Sequence, residues 1–204
     1  MSCVDGAEPR RAVRPAAFYG RPMARVEYVD ADTAAPEAAE TLRGLPAAHV
    51  FGMVAQTGAA FRPWTRLGLA LLTELELAPS LRELVILQVG RLAPQRYEWD
   101  QHVPIALASG VRQEQVDALE RGAVDAASFG PVELAVLGFV ADMVRDGEVT
   151  DADYATLAGH LDDRRIVEVA LVAAHYLGLA RMMTALRIDP DEPIGVGALG
   201  ARTT

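Results

Sequence analysis

Glu98 and His102, four residues apart in the run YEWDQH, are the pair in this chain best placed to do chemistry. Residues at i and i+4 share a helix face, so the carboxylate and the imidazole are expected to meet on one helix without help from the rest of the fold. A third ionisable group, Glu83, heads the apolar run ELVILQVGRL, where a charge is costly unless it is paired. Carboxylates and an imidazole converging beside buried surface are the materials of general acid–base catalysis. That points to an enzyme moving protons on a small molecule.

Each of these residues also has an ordinary structural account. Ser80-x-x-Glu83 reads as a capping box, with the glutamate folded back on the helix start. Against it, Ile86, Leu87 and Gly90 lie on the stripe of Glu83, which is therefore not a freely solvated face. Glu98 and His102 could be a solvated helix pair worth only about 0.3 kcal/mol. Ile105 and Ala106 after the histidine, and Tyr97 and Trp99 around the glutamate, argue for burial instead.

Tyr97 and Trp99 are candidate substrate contacts, although aromatics at such positions more often pack. His175 follows Glu168 by seven residues along one helix face. It is a further candidate contact whose plainer account is a satisfied core histidine. His49 and His160 have no legible partner. With no HExxH and no compact His/Asp cluster, no metal site is expected.

The elements that must position these groups read as helices. Apolar residues recur at helical spacing over 47–58 and 62–76, and Pro63 is tolerable in a first turn. A short helix is expected over 34–44. Pro79 and Ser80 start the Glu83 helix, which runs to about Leu92, and Ala93-Pro94 breaks the chain before a second helix over 95–109. Pro104 cannot donate to the Asp100 carbonyl, so a kink is expected there. Further helices are expected over 113–121, 131–146, 151–160 and 163–187, and no strand. ELVILQVGRL (83–92) and EVALVAAHYL (168–177) align without gaps, as two equivalent helices packed across a common core would.

At 204 residues, with 51% hydrophobic and 6% aromatic, the chain suits one all-α domain with tails. The organisation expected is an irregular arm over 1–32, a helical domain over 33–188 and a tail over 189–204. A net charge of −9 without a substantial basic cluster argues against nucleic acid as a partner. Cys3 is the only cysteine, which excludes an intramolecular disulfide. No run reaches the ~18 consecutive apolar residues of a spanning helix, and the N-terminus lacks the apolar core of a secretory signal. No membrane partner is expected, and a cytoplasmic location is.

The run LAPSLRELVILQVGRL followed by YEWDQHVPIALASGV resembles the carboxymuconolactone decarboxylase family, which includes the AhpD-like alkylhydroperoxidases. IVEVALVAAHYLGLARMMTALRI resembles that family's closing helix, so the likeness extends over roughly residues 34–187. The resemblance implies an AhpD-like bundle of about seven to nine helices that assembles as a homo-oligomer, a trimer or hexamer or else a dimer. It also implies that the AhpD-type cysteine pair would fall on Gln95 and Glu98, with the relay glutamate and histidine on Glu83 and His102. Gln and Glu supply neither a nucleophilic nor a resolving thiol, which argues against thiol peroxidase activity.

The decarboxylase branch also lacks the cysteines and carries E-x-x-x-H. By that likeness the chain is expected to be a cofactor-independent enzyme acting on a small carboxylated lactone or other carbonyl compound. His102 would be the acid/base, Glu98 would orient it and set its protonation, and Glu83 would be the second acid or relay. The rivals are an AhpD-like redox protein and a non-catalytic, ligand-binding member of the family.

Overall fold

A computed structural model describes residues 24–93 and 95–195, and they fold as an all-α bundle without a strand among them. Cys3, most of the expected arm and the last part of the expected tail lie outside the described residues. In chain order the helices are α1 (Pro36–Arg43), α2 (His49–Val54), a 3-10 turn (Ala55–Ala60), α3 (Phe61–Thr73) and α4 (Pro79–Leu92). There follow α5 (Arg96–Ala108), α6 (Gln113–Arg121), α7 (Pro131–Arg145), α8 (Asp151–Ala158) and α9 (Asp163–Leu186).

Local chemistry sets these limits. Pro79 and Pro131 start α4 and α7 in first-turn positions where a missing N–H costs nothing. Thr150 and Asp162 cap α8 and α9 by accepting from Asp153 N and Arg165 N. Gly122 closes α6 in the left-handed region, at φ 73°. Helix α5 runs unbroken through Pro104.

Helix α4 is the axle of the molecule. Every residue from Arg82 to Gly90 is buried, as expected of a helix covered on all sides. One face joins α7, α8 and α9 in a core that includes Val85, Ile86, Val136, Val140, Val169 and Val172. Its opposite face, with Leu84 and Leu87, packs with Trp99, Ala106, Leu119 and Leu137 from α5, α6 and α7. A third cluster gathers α1 to α3 around Phe61, together with Tyr97 and Met183.

The two similar segments, on α4 and α9, pack against each other in the first core. Glu168, the counterpart of Glu83, is structural, since it accepts from the Glu76 and Leu77 amides and so fixes the turn into α4. Among the described helices α9 alone has the length and apolar composition to span a bilayer, but here Val169, Val172 and Ala173 are core residues.

The expected tail is a built part of the fold through residue 195. Asp191 accepts from the Tyr97 hydroxyl at 2.7 Å and from the His49 amide at 2.6 Å. Gln101 donates to the Glu192 carbonyl and accepts from Ile194 N, at 3.1 and 3.0 Å. At the other end, Arg25 N donates to the Leu186 carbonyl and Val29 N to that of Gly52. His49 thus has partners the sequence did not reveal. Its Nδ1 lies 2.8 Å from Asp191, and its ring stacks on Tyr28 at 4.3 Å.

Candidate active site

The side chain of Glu83 is fully buried and makes two contacts. His102 Nδ1 lies 2.8 Å from its Oε2, and Arg82 Nε donates to its Oε1 at 2.9 Å. The capping box does not form. Because Pro79 is the first helical residue, Ser80 lies inside the first turn, and Glu83 falls two residues beyond the third helical position from which it could reach back. A carboxylate can only accept, so the contact places a proton on Nδ1 of His102, and in the neutral ring Nε2 is then the lone-pair nitrogen. Nε2 takes no hydrogen bond from the described residues, and the ring lines a cavity.

Glu98 is 3 % exposed, and neither of its carboxyl oxygens has a hydrogen-bond partner among the described residues. The expected Glu98–His102 bond is therefore absent: the imidazole is taken by Glu83 on α4, and Glu98 is left facing the cavity beside it. Burial alone pushes the Glu98 pKa well up, so this side chain keeps its proton to higher pH than an ordinary glutamate. Leaving such a group unpaired costs about 1–3 kcal/mol, which the fold does not recover there.

The cavity holds about 260 Å³ between the α1–α3 layer and helices α5 and α9, with Ile194 and Gly195 of the C-terminal segment in its wall. Phe51, Trp64, Leu69, Ile105, Leu179 and Met183 give it an apolar surface. His175 lines it, with its pKa lowered by burial, and lies edge-on to Tyr176 at 5.3 Å. Tyr97 lines it with its ring, while its hydroxyl is occupied by Asp191 and by the Val50 amide at 3.4 Å.

Trp99 corrects the sequence reading. One residue beyond Glu98 on α5 it points to another face and packs in the α4–α7 cluster, away from the cavity. Gln95 is likewise structural, capping α5 at the Tyr97 amide and donating to Thr184 Oγ1.

Sequence reasoning missed Tyr176, Arg82 and Asp191. Tyr176 packs edge-on against His102 at 4.9 Å and lines the cavity. Burial, with Glu83 and Glu98 nearby, pushes its phenol pKa well up, so it stays a neutral donor. The signal for Tyr176 was its place next to His175 on an apolar helix. Arg82 had only its position beside Glu83, and Asp191 had none.

Residues 58–142 match the carboxymuconolactone decarboxylase family. That stretch contains Glu83, Glu98 and His102 but not α9 or the C-terminal segment. No curated protein matches the chain significantly. Among solved structures, an AhpD-core, peroxidase-related protein from Ralstonia eutropha is similar, with TM-score 0.71 and 18% identity over 84% of this chain and 94% of the other. A peroxidase-related protein from Silicibacter follows, with TM-score 0.63 and 20% identity over 74% and 78% of the two chains. The debrominase Bmp8 has TM-score 0.65 and 15% identity, with 83% and 90% covered.

Proposed function

Since the chain belongs to the carboxymuconolactone decarboxylase family through residues 58–142 and has an AhpD-like fold, we propose that it is a cofactor-independent, decarboxylase-like enzyme acting on a small carboxylated lactone or other carbonyl compound. The observation that carries this reading is Glu98, a buried and unpartnered carboxyl beside the bare Nε2 of a histidine that Glu83 holds in place. A group kept at a cost to stability, with a raised pKa and facing a cavity, is what a general acid requires.

In the proposed reaction the substrate enters ionised, as its carboxylate, and Glu83 holds the His102 ring with Nε2 open to the cavity. The carbon–carboxylate bond then breaks. CO2 leaves, and the electron pair passes into the adjacent carbonyl as an enolate. The Tyr176 hydroxyl, which has no partner among the described residues, donates to the enolate oxygen. Glu98 then protonates the carbon, and a proton from solvent, passed through His102 Nε2, returns to Glu98 and resets the site. The roles first expected for Glu98 and Glu83 are thereby exchanged: Glu83 orients the histidine, and Glu98 is the acid.

The test is CO2 release from 4-carboxymuconolactone by the wild type, Glu98→Gln and His102→Ala. Release by the wild type that falls at least about 100-fold in each variant is expected. Undiminished release in Glu98→Gln would overturn its assignment, and a folded wild type that releases none would remove this substrate. A thiol peroxidase reading has no support at the site, where Gln95 and Glu98 stand in place of the cysteine pair. Assembly as a homo-oligomer is part of the same proposal. Val167 and Leu171, a helical turn apart and exposed on α9, offer apolar surface for it, and light scattering on the purified chain tests it.

A further inference from the structure

The cavity is chemically polarised. Its buried polar side chains, Tyr97, Glu98, Gln101, His102 and Tyr176, come from α5 and α9, while α3 supplies a cation. There Arg66, exposed to solvent, is the one arginine or lysine in the lining, and it makes no ion pair or hydrogen bond with any described residue. Many other arginines of the chain are engaged, among them Arg82, Arg96, Arg112, Arg164 and Arg165. Much of the remaining lining, with Phe51, Leu69, Leu72, Ile105, Leu179 and Met183, is apolar. At Gly68, also in the lining, an added Cβ would meet nothing within 4 Å.

A ligand matching these features has an apolar body, a hydrogen-bonding group at its inner end and an anionic group at its outer end. We infer that Arg66 is a specificity-determining residue that anchors a substrate carboxylate at the mouth of the cavity, so that the site selects amphipathic, aryl- or alkyl-bodied carboxylates over their neutral isosteres. This rests on the acid–base reading only for calling the ligand a substrate; the binding preference stands without it. On a chain with net charge −9, an unpaired guanidinium at the entrance also offsets the repulsion an anion would meet on approach. The planar fork of arginine suits a carboxylate better than a point charge does.

Trp64 lines the cavity while Trp99 is buried in a different cluster, so quenching of tryptophan fluorescence reports occupancy. The probes are 4-phenylbutanoate and its uncharged amide, titrated at neutral pH into the full chain, Arg66→Gln and Arg66→Lys. The wild type should bind the carboxylate about five-fold more tightly than the amide, the gain of one exposed ion pair. Arg66→Gln should bring the two ligands level by weakening the carboxylate alone, and Arg66→Lys should keep part of the preference.

A preference that survives Arg66→Gln would place the anion elsewhere in the cavity and overturn the inference. Equal binding of the two ligands by the wild type would do the same, and so would binding of neither. His102→Ala separates this from the catalytic proposal, because the carboxylate preference should persist in it whatever becomes of turnover.

Discussion

Glu98 and Glu83 are both buried carboxyls, and their surroundings give them opposite consequences for stability. Glu98 has its pKa raised by burial from an ordinary value of 4.5. As pH rises above 4.5, the unfolded chain releases this proton while the folded chain keeps it, so folding stability falls until the folded pKa is passed. The slope is about 1.4 kcal/mol per pH unit. Glu98→Gln has no such proton, and its stability relative to the wild type should improve as pH rises above 4.5; denaturant melts at increasing pH check this, and a constant difference would mean that Glu98 titrates as it does in the unfolded chain. Glu83→Ala is expected to act the other way. It strands the Arg82 guanidinium and frees the His102 ring, a loss of about 3–5 kcal/mol for a broken buried pair, visible as a fall in Tm. The exchange of roles between the two glutamates was not legible in sequence, because i,i+4 spacing makes Glu98 the obvious partner of His102 while the true partner is 19 positions away on another helix.

Elements were far more legible than partnerships. Helical spacing, Pro79 and Pro131 at helix starts and Gly122 at a helix end locate α4, α6 and α7 to within a residue or two, since such signals act over one turn of chain. The signature helix is also where the sequence says it is, and its faces explain why Glu98 meets the cavity and Trp99 does not. The segment over 189–195 was opaque because its bonds run through backbone groups and two aspartates to partners more than ninety residues away. Glycines divide in the same way between local and remote causes. Gly178 sits within α9, exposed, and an added Cβ meets nothing within 4 Å, so Gly178→Ala should gain about 1 kcal/mol from helix propensity. At Gly52 a Cβ would stand 2.8 Å from the Val29 carbonyl oxygen. Gly52→Ala should therefore lower Tm and loosen the 24–30 segment, with faster amide exchange at Val29 as the readout.

Across the whole molecule, the cavity is closed by pieces from both halves of the chain. The α1–α3 layer supplies one wall, α5 and α9 the other, and the C-terminal segment bridges them through Asp191. A chain ending at Ile188 should keep its helices but lose that bridge, leaving Tyr97 and His49 without their common acceptor. It should bind a hydrophobic dye more strongly than the full chain and melt at a lower temperature; unchanged dye binding would mean that the segment covers nothing. The same ends have a topological consequence. The Tyr28 hydroxyl donates to an Asp189 carboxyl oxygen and accepts from the Asp189 amide, at 3.0 and 2.9 Å, and Arg25 is bonded to Leu186, so the helical body starts and stops at one place. The body from Arg25 to Asp189 is in effect a ring held shut by hydrogen bonds, and little loop-closure entropy separates it from a covalent one. A short linker across this junction would allow new termini in the exposed turn at Gly147, giving a circular permutant in which the order of the helices changes and the cavity does not.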